Sequence, residues 1–142
     1  MYSHTQTYPV GSNQQQVTCY HYQVANNDWI VTPSWEEPGI DVNGPIRHSK
    51  HGDVIRLIHE PTGRNLHSHN VPAPVSKLNI EVSCYGDASI DDLNDYWVVE
   101  VVDDLRRRKR EKVNQIHSLT TRLRLRNSVL GFYVRVANKE PA

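Results

Sequence analysis

The chain has 142 residues, the size of one domain, and its basic and acidic side chains balance at 16 each, so no net field points to nucleic acid or an anionic membrane. Hydrophobic residues make up 37%, with seven glycines and eight prolines, which is lean but sufficient for a small all-β core with many turns. No stretch approaches the ~20 apolar residues of a membrane span, and the most apolar window, Tyr96 to Val102, is interrupted by Glu100.

Met1-Tyr2-Ser3-His4 lacks the basic flank and apolar stretch of a signal peptide. The chain alone therefore reads as soluble, with any targeting signal lying elsewhere in a larger protein. Its first segment repeats: shifted by 65 positions, Met1 to Tyr20 aligns with Leu66 to Tyr85 without a gap, and seven of the twenty pairs are identical. Average composition gives roughly one identity by chance. The identities are Ser3/Ser68, His4/His69, Pro9/Pro74, Val10/Val75, Val17/Val82, Cys19/Cys84 and Tyr20/Tyr85. Further on the offset becomes 68, because the loop Gly86 to Leu93 is three residues longer, and Asn26/Asn94, Trp29/Trp97 and Val31/Val99 then match.

The next elements are strands. Asp53 to His59 alternates and is rich in branched residues, Pro61-Thr62-Gly63 is a turn signal, and Asn65 to His69 is a short second strand. Ile80 to Tyr85 is a third strand and Tyr96 to Val102 a fourth, with Trp97, Val99 and Val101 on one face. The offset of 68 also places a third copy, through Ile55/Leu123, Leu57/Leu125, Gly63/Gly131 and Leu66/Val134. Three units of four short strands predict an all-β chain with the architecture of a β-trefoil, forming a single domain over 1–142. The units run approximately over 1–35, 47–103 and 116–142. Counting strands implies that the first lacks its opening strand and the third its later ones, so the trefoil is expected to be incomplete at both ends. An open edge there would leave these residues alone unstable or self-associating.

Thr62-Gly63-Arg64-Asn65-Leu66-His67-Ser68-His69 resembles the hallmark of MIR repeats, as do Gln14 to Tyr20 followed by Asn26-Asn27-Asp28-Trp29, and Glu81 to Gly86 followed by Asn94-Asp95-Tyr96-Trp97. Within the family these motifs are similar to the protein O-mannosyltransferase branch, in the form of its second subfamily. The resemblance implies a luminal loop of a membrane enzyme of the endoplasmic reticulum that transfers mannose from dolichyl phosphate mannose to Ser or Thr of secretory proteins. It also implies that the catalytic acids lie outside this chain, which would act as a non-catalytic recognition module for glycan or Ser/Thr-rich acceptor, with a second transferase subunit as partner. The alternative is a stand-alone luminal MIR protein in folding quality control, similar to stromal cell-derived factor 2. The third unit has no His-Ser-His, which implies two matched sites at most.

The candidate glycan-binding residues are His4, Gln16, Asn27, His67, His69 and Asn94, because imidazole and amide groups both donate to and accept from hydroxyls. Residues i and i+2 share a strand face, so His67 and His69 stand together. As a metal pair they lack further ligands at recognisable spacing; no metal and no cofactor is expected. Structurally, the Ser and at least one His read as bonding loop backbone. Trp29 and Trp97 read as core, and Trp35, in the loop Pro33 to Pro45, either packs under its loop or contacts a ligand. Gln14-Gln15-Gln16 reads equally as hydroxyl-binding or as solvated loop. Arg106-Arg107-Arg108-Lys109-Arg110 reads as a solvated loop, with an anionic ligand as the alternative. Asp91-Asp92 and Asp103-Asp104 read as loop solubility. Cys19 and Cys84 are expected to be buried free thiols.

Overall fold

A computed structural model of the chain describes residues 1–34, 44, 48–106 and 115–136. The described residues form eight strands: β1 (Tyr2–Thr7), β2 (Gln15–Thr18), β3 (Trp29–Pro33), β4 (Val54–His59), β5 (Asn65–Pro72), β6 (Ile80–Tyr85), β7 (Trp97–Asp104) and β8 (Thr121–Asn127). Two single 3-10 turns, Ala25–Asn27 and Leu93–Asp95, precede β3 and β7. The predicted strands are all present. The second extends past His69 to Pro72, because a register shift between Ser68 and Pro72 lets β5 follow β6 further.

The strands make one antiparallel sheet in the order β1-β2-β6-β5-β4-β7-β8, with β3 added on β4. The path is open, and β1 and β8 are its ends. Its core is Ile55, Leu57, Leu66, Trp97 and Val99, with Val17, Trp29, Val82 and Leu125 packed against it in part. Beside the core an apolar hollow of about 930 Å³ is bordered by Val17, Val82, Trp97, Phe132 and Val134.

The hydrogen bonds repeat at the offsets found in the sequence. Tyr2 pairs with Thr18 and Ser3 with Val17; 65 residues on, His67 pairs with Ser83 and Ser68 with Val82. Trp29 pairs with His59, and at 68 residues Trp97 pairs with Asn127. The turn after β4 is closed by Gly63 N–H donating to His59 O, and the turn after β8 by Gly131 N–H donating to Asn127 O (2.8 and 2.9 Å). Both glycines have φ near +70°, the left-handed conformation a side chain disfavours.

Side chains obey the same rule. Ser3 Oγ donates to Gln16 O at 2.6 Å, and Ser68 Oγ to Glu81 O at 2.8 Å. The Trp29 indole donates to Met1 O and the Trp97 indole to Leu66 O, at 3.1 and 3.0 Å. Asn26 Nδ2 donates to Ser3 O and Asn94 Nδ2 to Ser68 O, at 2.8 and 2.7 Å. Buried polar groups need such partners, so these motif residues tie each 3-10 turn and its tryptophan to the strand that opens the pair.

Candidate functional site

In the second unit, alternation along β5 puts His67 and His69 on one face with ring centroids 5.0 Å apart. Tyr85, ending β6, stands 5.2 Å from His67. The 3-10 turn Leu93–Asp95 comes over this face. Its first residue is preceded by Asp92, whose carboxylate accepts from Asn94 N–H at 2.9 Å. Asp95 is fully buried and accepts from His67 Nδ1 at 2.7 Å and from Asn65 Nδ2 at 3.1 Å. This carboxylate holds the proton on Nδ1, so in the neutral ring Nε2 is the acceptor. Burial pushes the Asp95 carboxyl above the usual aspartate value, while the bonds from His67 and Asn65 oppose the rise. Burial lowers His69, and the neighbouring His67 lowers it further. The His69 Nδ1 atom is buried without a hydrogen-bond partner among the described residues.

The first unit carries the equivalent patch at an offset of 65. Tyr2, His4 and Tyr20 occupy the positions of His67, His69 and Tyr85; Tyr2 stands 5.4 Å from His4 and 4.8 Å from Tyr20. Here the rings continue outward: His21 and Tyr22 each lie 5.5 Å from Tyr20 and 3.9 Å from one another.

Five of the six predicted residues therefore fall on two surfaces, His4 and Asn27 on one, His67, His69 and Asn94 on the other. Gln16, on β2, donates through Nε2 to Thr7 O at 2.9 Å. Asn27 and Asn94 donate to Tyr22 O and Ser68 O. Each of these three amides thus spends an N–H on its own backbone. His67 is 4% exposed and anchored to Asp95, while His4 and His69 are half-buried. Sequence reasoning missed Asp95, Tyr2 and His59. Asp95 was findable, since it stands 68 residues after Asn27. His59 is fully buried, with Nδ1 2.7 Å from Thr62 Oγ1 and Nε2 3.0 Å from Asn26 O.

Several expectations need correction. Cys19 is exposed, one residue past the end of β2; Cys84 is the buried thiol, and burial pushes it up to about 11. Trp29 is only half-buried, whereas Trp97 is core. The aspartate pairs are structural. Asp91 accepts from the Tyr96 hydroxyl, and Asp103 pairs with Arg122. Asp104 is buried and accepts from Thr120 and Thr121. Gln15 is buried and donates to Ser3 Oγ and Thr62 Oγ1, at 2.8 and 3.0 Å, and Gln14 Oε1 accepts from Ser83 Oγ at 2.6 Å. Of the basic run only Arg106 is described, its N–H donating to Asp104 at 2.8 Å; Arg107 to Arg110 and Trp35 lie outside the described residues. Among the described residues no three His, Cys, Asp or Glu side chains are placed to share a metal ion.

Comparison with known proteins agrees with the motifs. The model of the MIR domain family matches residues 1–142. The chain is 43% identical over 141 residues to dolichyl-phosphate-mannose–protein mannosyltransferase 3 of Saccharomyces cerevisiae, covering 98% of this chain and 18% of that protein. It is 42% identical over 127 residues to protein O-mannosyl-transferase 2 of Drosophila melanogaster, covering 87% and 15%. Among solved structures it is similar to the S. cerevisiae protein O-mannosyltransferase Pmt1-Pmt2 complex bound to the sugar donor, with TM-score 0.78, 37% identity and coverage of 93% of this chain and 18% of that one. It is also similar to the SDF2-like protein from Arabidopsis thaliana, with TM-score 0.76, 32% identity and coverage of 93% and 66%. The chain thus spans about a fifth or less of the curated transferases it matches. It belongs to the MIR domain family, its resemblance to the O-mannosyltransferase branch holds, and its fold is the all-β, trefoil-type fold expected of it.

Proposed function

We propose that this chain is the luminal recognition module of a protein O-mannosyltransferase of the endoplasmic reticulum, and that it binds glycan or Ser/Thr-rich acceptor beside a catalytic centre carried elsewhere in the protein. The parent reaction is transfer of mannose from dolichyl phosphate mannose to Ser or Thr, and a second transferase subunit is its partner. The observation that carries the reading is the duplicated patch. Tyr2, His4 and Tyr20 and, 65 residues on, His67, His69 and Tyr85 each set imidazole beside tyrosine at the mouth of a loop pinned by its own asparagine. Rings beside groups that donate and accept suit weak recognition of hydroxyl-rich ligands. The units over 1–35, 47–103 and 116–142 act in this reading as one domain, with His4, Gln16, Asn27, His67, His69 and Asn94 around the ligand.

A glycan and Ser/Thr-peptide array probed with the chain tests this. Binding that falls on His69→Gln, with the melting transition retained, is the expected result; no binding to any glycan or peptide removes the reading. The similarity to the SDF2-like protein supports a second reading, a stand-alone luminal MIR protein. The full gene decides between them: flanking membrane spans favour the transferase, a signal peptide with a retention tetrapeptide the alternative.

A further inference from the structure

We propose that the ring cluster of the first unit, Tyr2, His4, Tyr20, His21 and Tyr22, is a stacking site for pyranosides that have a face free of axial oxygen. The inference rests on the glycan reading above and adds to it a location and a sugar class.

Three observations single out this patch. First, it has two rings more than its counterpart. The positions of His21 and Tyr22 are taken in the second unit by Gly86 and Asp87, and any side chain at Gly86 would be strained. Its φ is +67°, and a Cβ there would stand 3.2 Å from the Ile90 side chain. Second, the rings are presented to solvent: Tyr20 is 46% and Tyr22 59% exposed. The loop carrying them is fixed, since Asn27 Nδ2 donates to Tyr22 O at 2.8 Å, so little ordering is needed on binding. Third, the patch lacks the carboxylates of its counterpart at the matched positions. Asp92 and Asp95, beside His67, correspond to Val24 and Asn27.

The sugar class follows from ring electrostatics. An aromatic face is negative, so it attracts C–H groups polarised by neighbouring oxygens and repels an oxygen lone pair. In a β-glucoside every axial substituent is hydrogen, on both faces. In an α-mannoside the anomeric oxygen is axial on one face and the 2-hydroxyl on the other, so an oxygen holds either face off a ring. The tyrosine hydroxyls and the imidazole nitrogens of His4 and His21 are then available to the equatorial hydroxyls.

The test is a titration of the full chain with methyl β-D-glucopyranoside and with methyl α-D-mannopyranoside, followed by aromatic-ring NMR. The β-glucoside is expected to move the Tyr20 and Tyr22 ring resonances, with the α-mannoside about tenfold weaker there. Tyr22→Ala should weaken the β-glucoside by about tenfold, the loss of one stacking contact. The pair His21→Gly with Tyr22→Asp, which installs the second unit's residues, should abolish the response. Equal response to the two glycosides at these rings overturns the inference. Response confined to Tyr85, His67 and His69 overturns it too and leaves the glycan reading standing, whereas silence at both patches, together with an empty array, removes both.

Discussion

The first two units share one hydrogen-bond skeleton and differ in what covers it. Leu66 is 0% exposed and Val99 1%, but their counterparts Met1 and Val31 are 42% and 53% exposed. Trp97 is core and Trp29 half-buried, although both indoles make the same bond. The cause lies in the neighbours. β5 and β7, which carry Leu66 and Val99, each lie between two strands, whereas β1 has only β2 and β3 only β4 as partner among the described strands. The repeated motif encodes the backbone and its pins; burial is conferred by whatever packs on top.

The largest expected effect sharpens this contrast. Trp97→Ala should cost about 3–5 kcal/mol, the range for emptying an aromatic site in a core. Trp29→Ala loses the same hydrogen bond but far less buried area, and should cost about 1–2 kcal/mol. Urea midpoints of the two variants at unchanged m-value make the comparison. Equal losses would mean that burial does not separate the units.

The strands and the equivalence of the units were readable because identities recur at fixed offsets: Ser3/Ser68, Asn26/Asn94 and Trp29/Trp97 are the residues that tie turn to strand. What could not be read is where one chemistry is replaced by another at an equivalent position. His59 corresponds to Asn127, and each donates from a side-chain nitrogen to a 3-10 turn carbonyl, His59 to Asn26 O and Asn127 Nδ2 to Asn94 O, at 3.0 and 2.9 Å. No identity marks that match. The hydrogen bond from Gln15 to Thr62 likewise has no trace at the corresponding Ile80 and Leu130, which are apolar. The patches were half legible: His4, His67 and His69 are motif residues and Asp95 could be reached through its counterpart Asn27, whereas Tyr2 sits where the two units differ, and self-alignment discards differences.

A smaller effect tests the shared skeleton. Ser3→Ala and Ser68→Ala each strip a buried donor from a carbonyl, of Gln16 and of Glu81, and should each cost about 1–2 kcal/mol. Ser3 also accepts from Gln15, so its loss should be the greater. A cost for Ser68 alone, measured by the same urea midpoints, would break the equivalence of the units.

The smallest effect is a pH dependence that belongs to the second unit. His69 is held below its ordinary value of 6.5 by burial and by His67, with Glu81 and Asp92 pulling the other way. The unfolded chain therefore takes up this proton at a higher pH than the folded one. The stability associated with a neutral His69 is whole above the ordinary histidine value. It is lost progressively as pH falls through that value toward the lowered one of the folded state. Asp95 has the opposite sign: its raised carboxyl makes the folded state the better proton acceptor, so acidification through its range adds stability. Glu100, lowered by its bonds from Arg126, Tyr133 and Arg124, loses stability only as pH falls through the carboxylate range. The His69 contribution falls on acidification while that of Asp95 rises, so the two differ in sign, and removing the imidazole isolates its share. Urea midpoints taken between about pH 5 and 8 should decline on acidification in the parent chain, and His69→Gln should flatten the decline. An unchanged slope in that variant would transfer the effect to another histidine and leave the two patches alike in their response to protons.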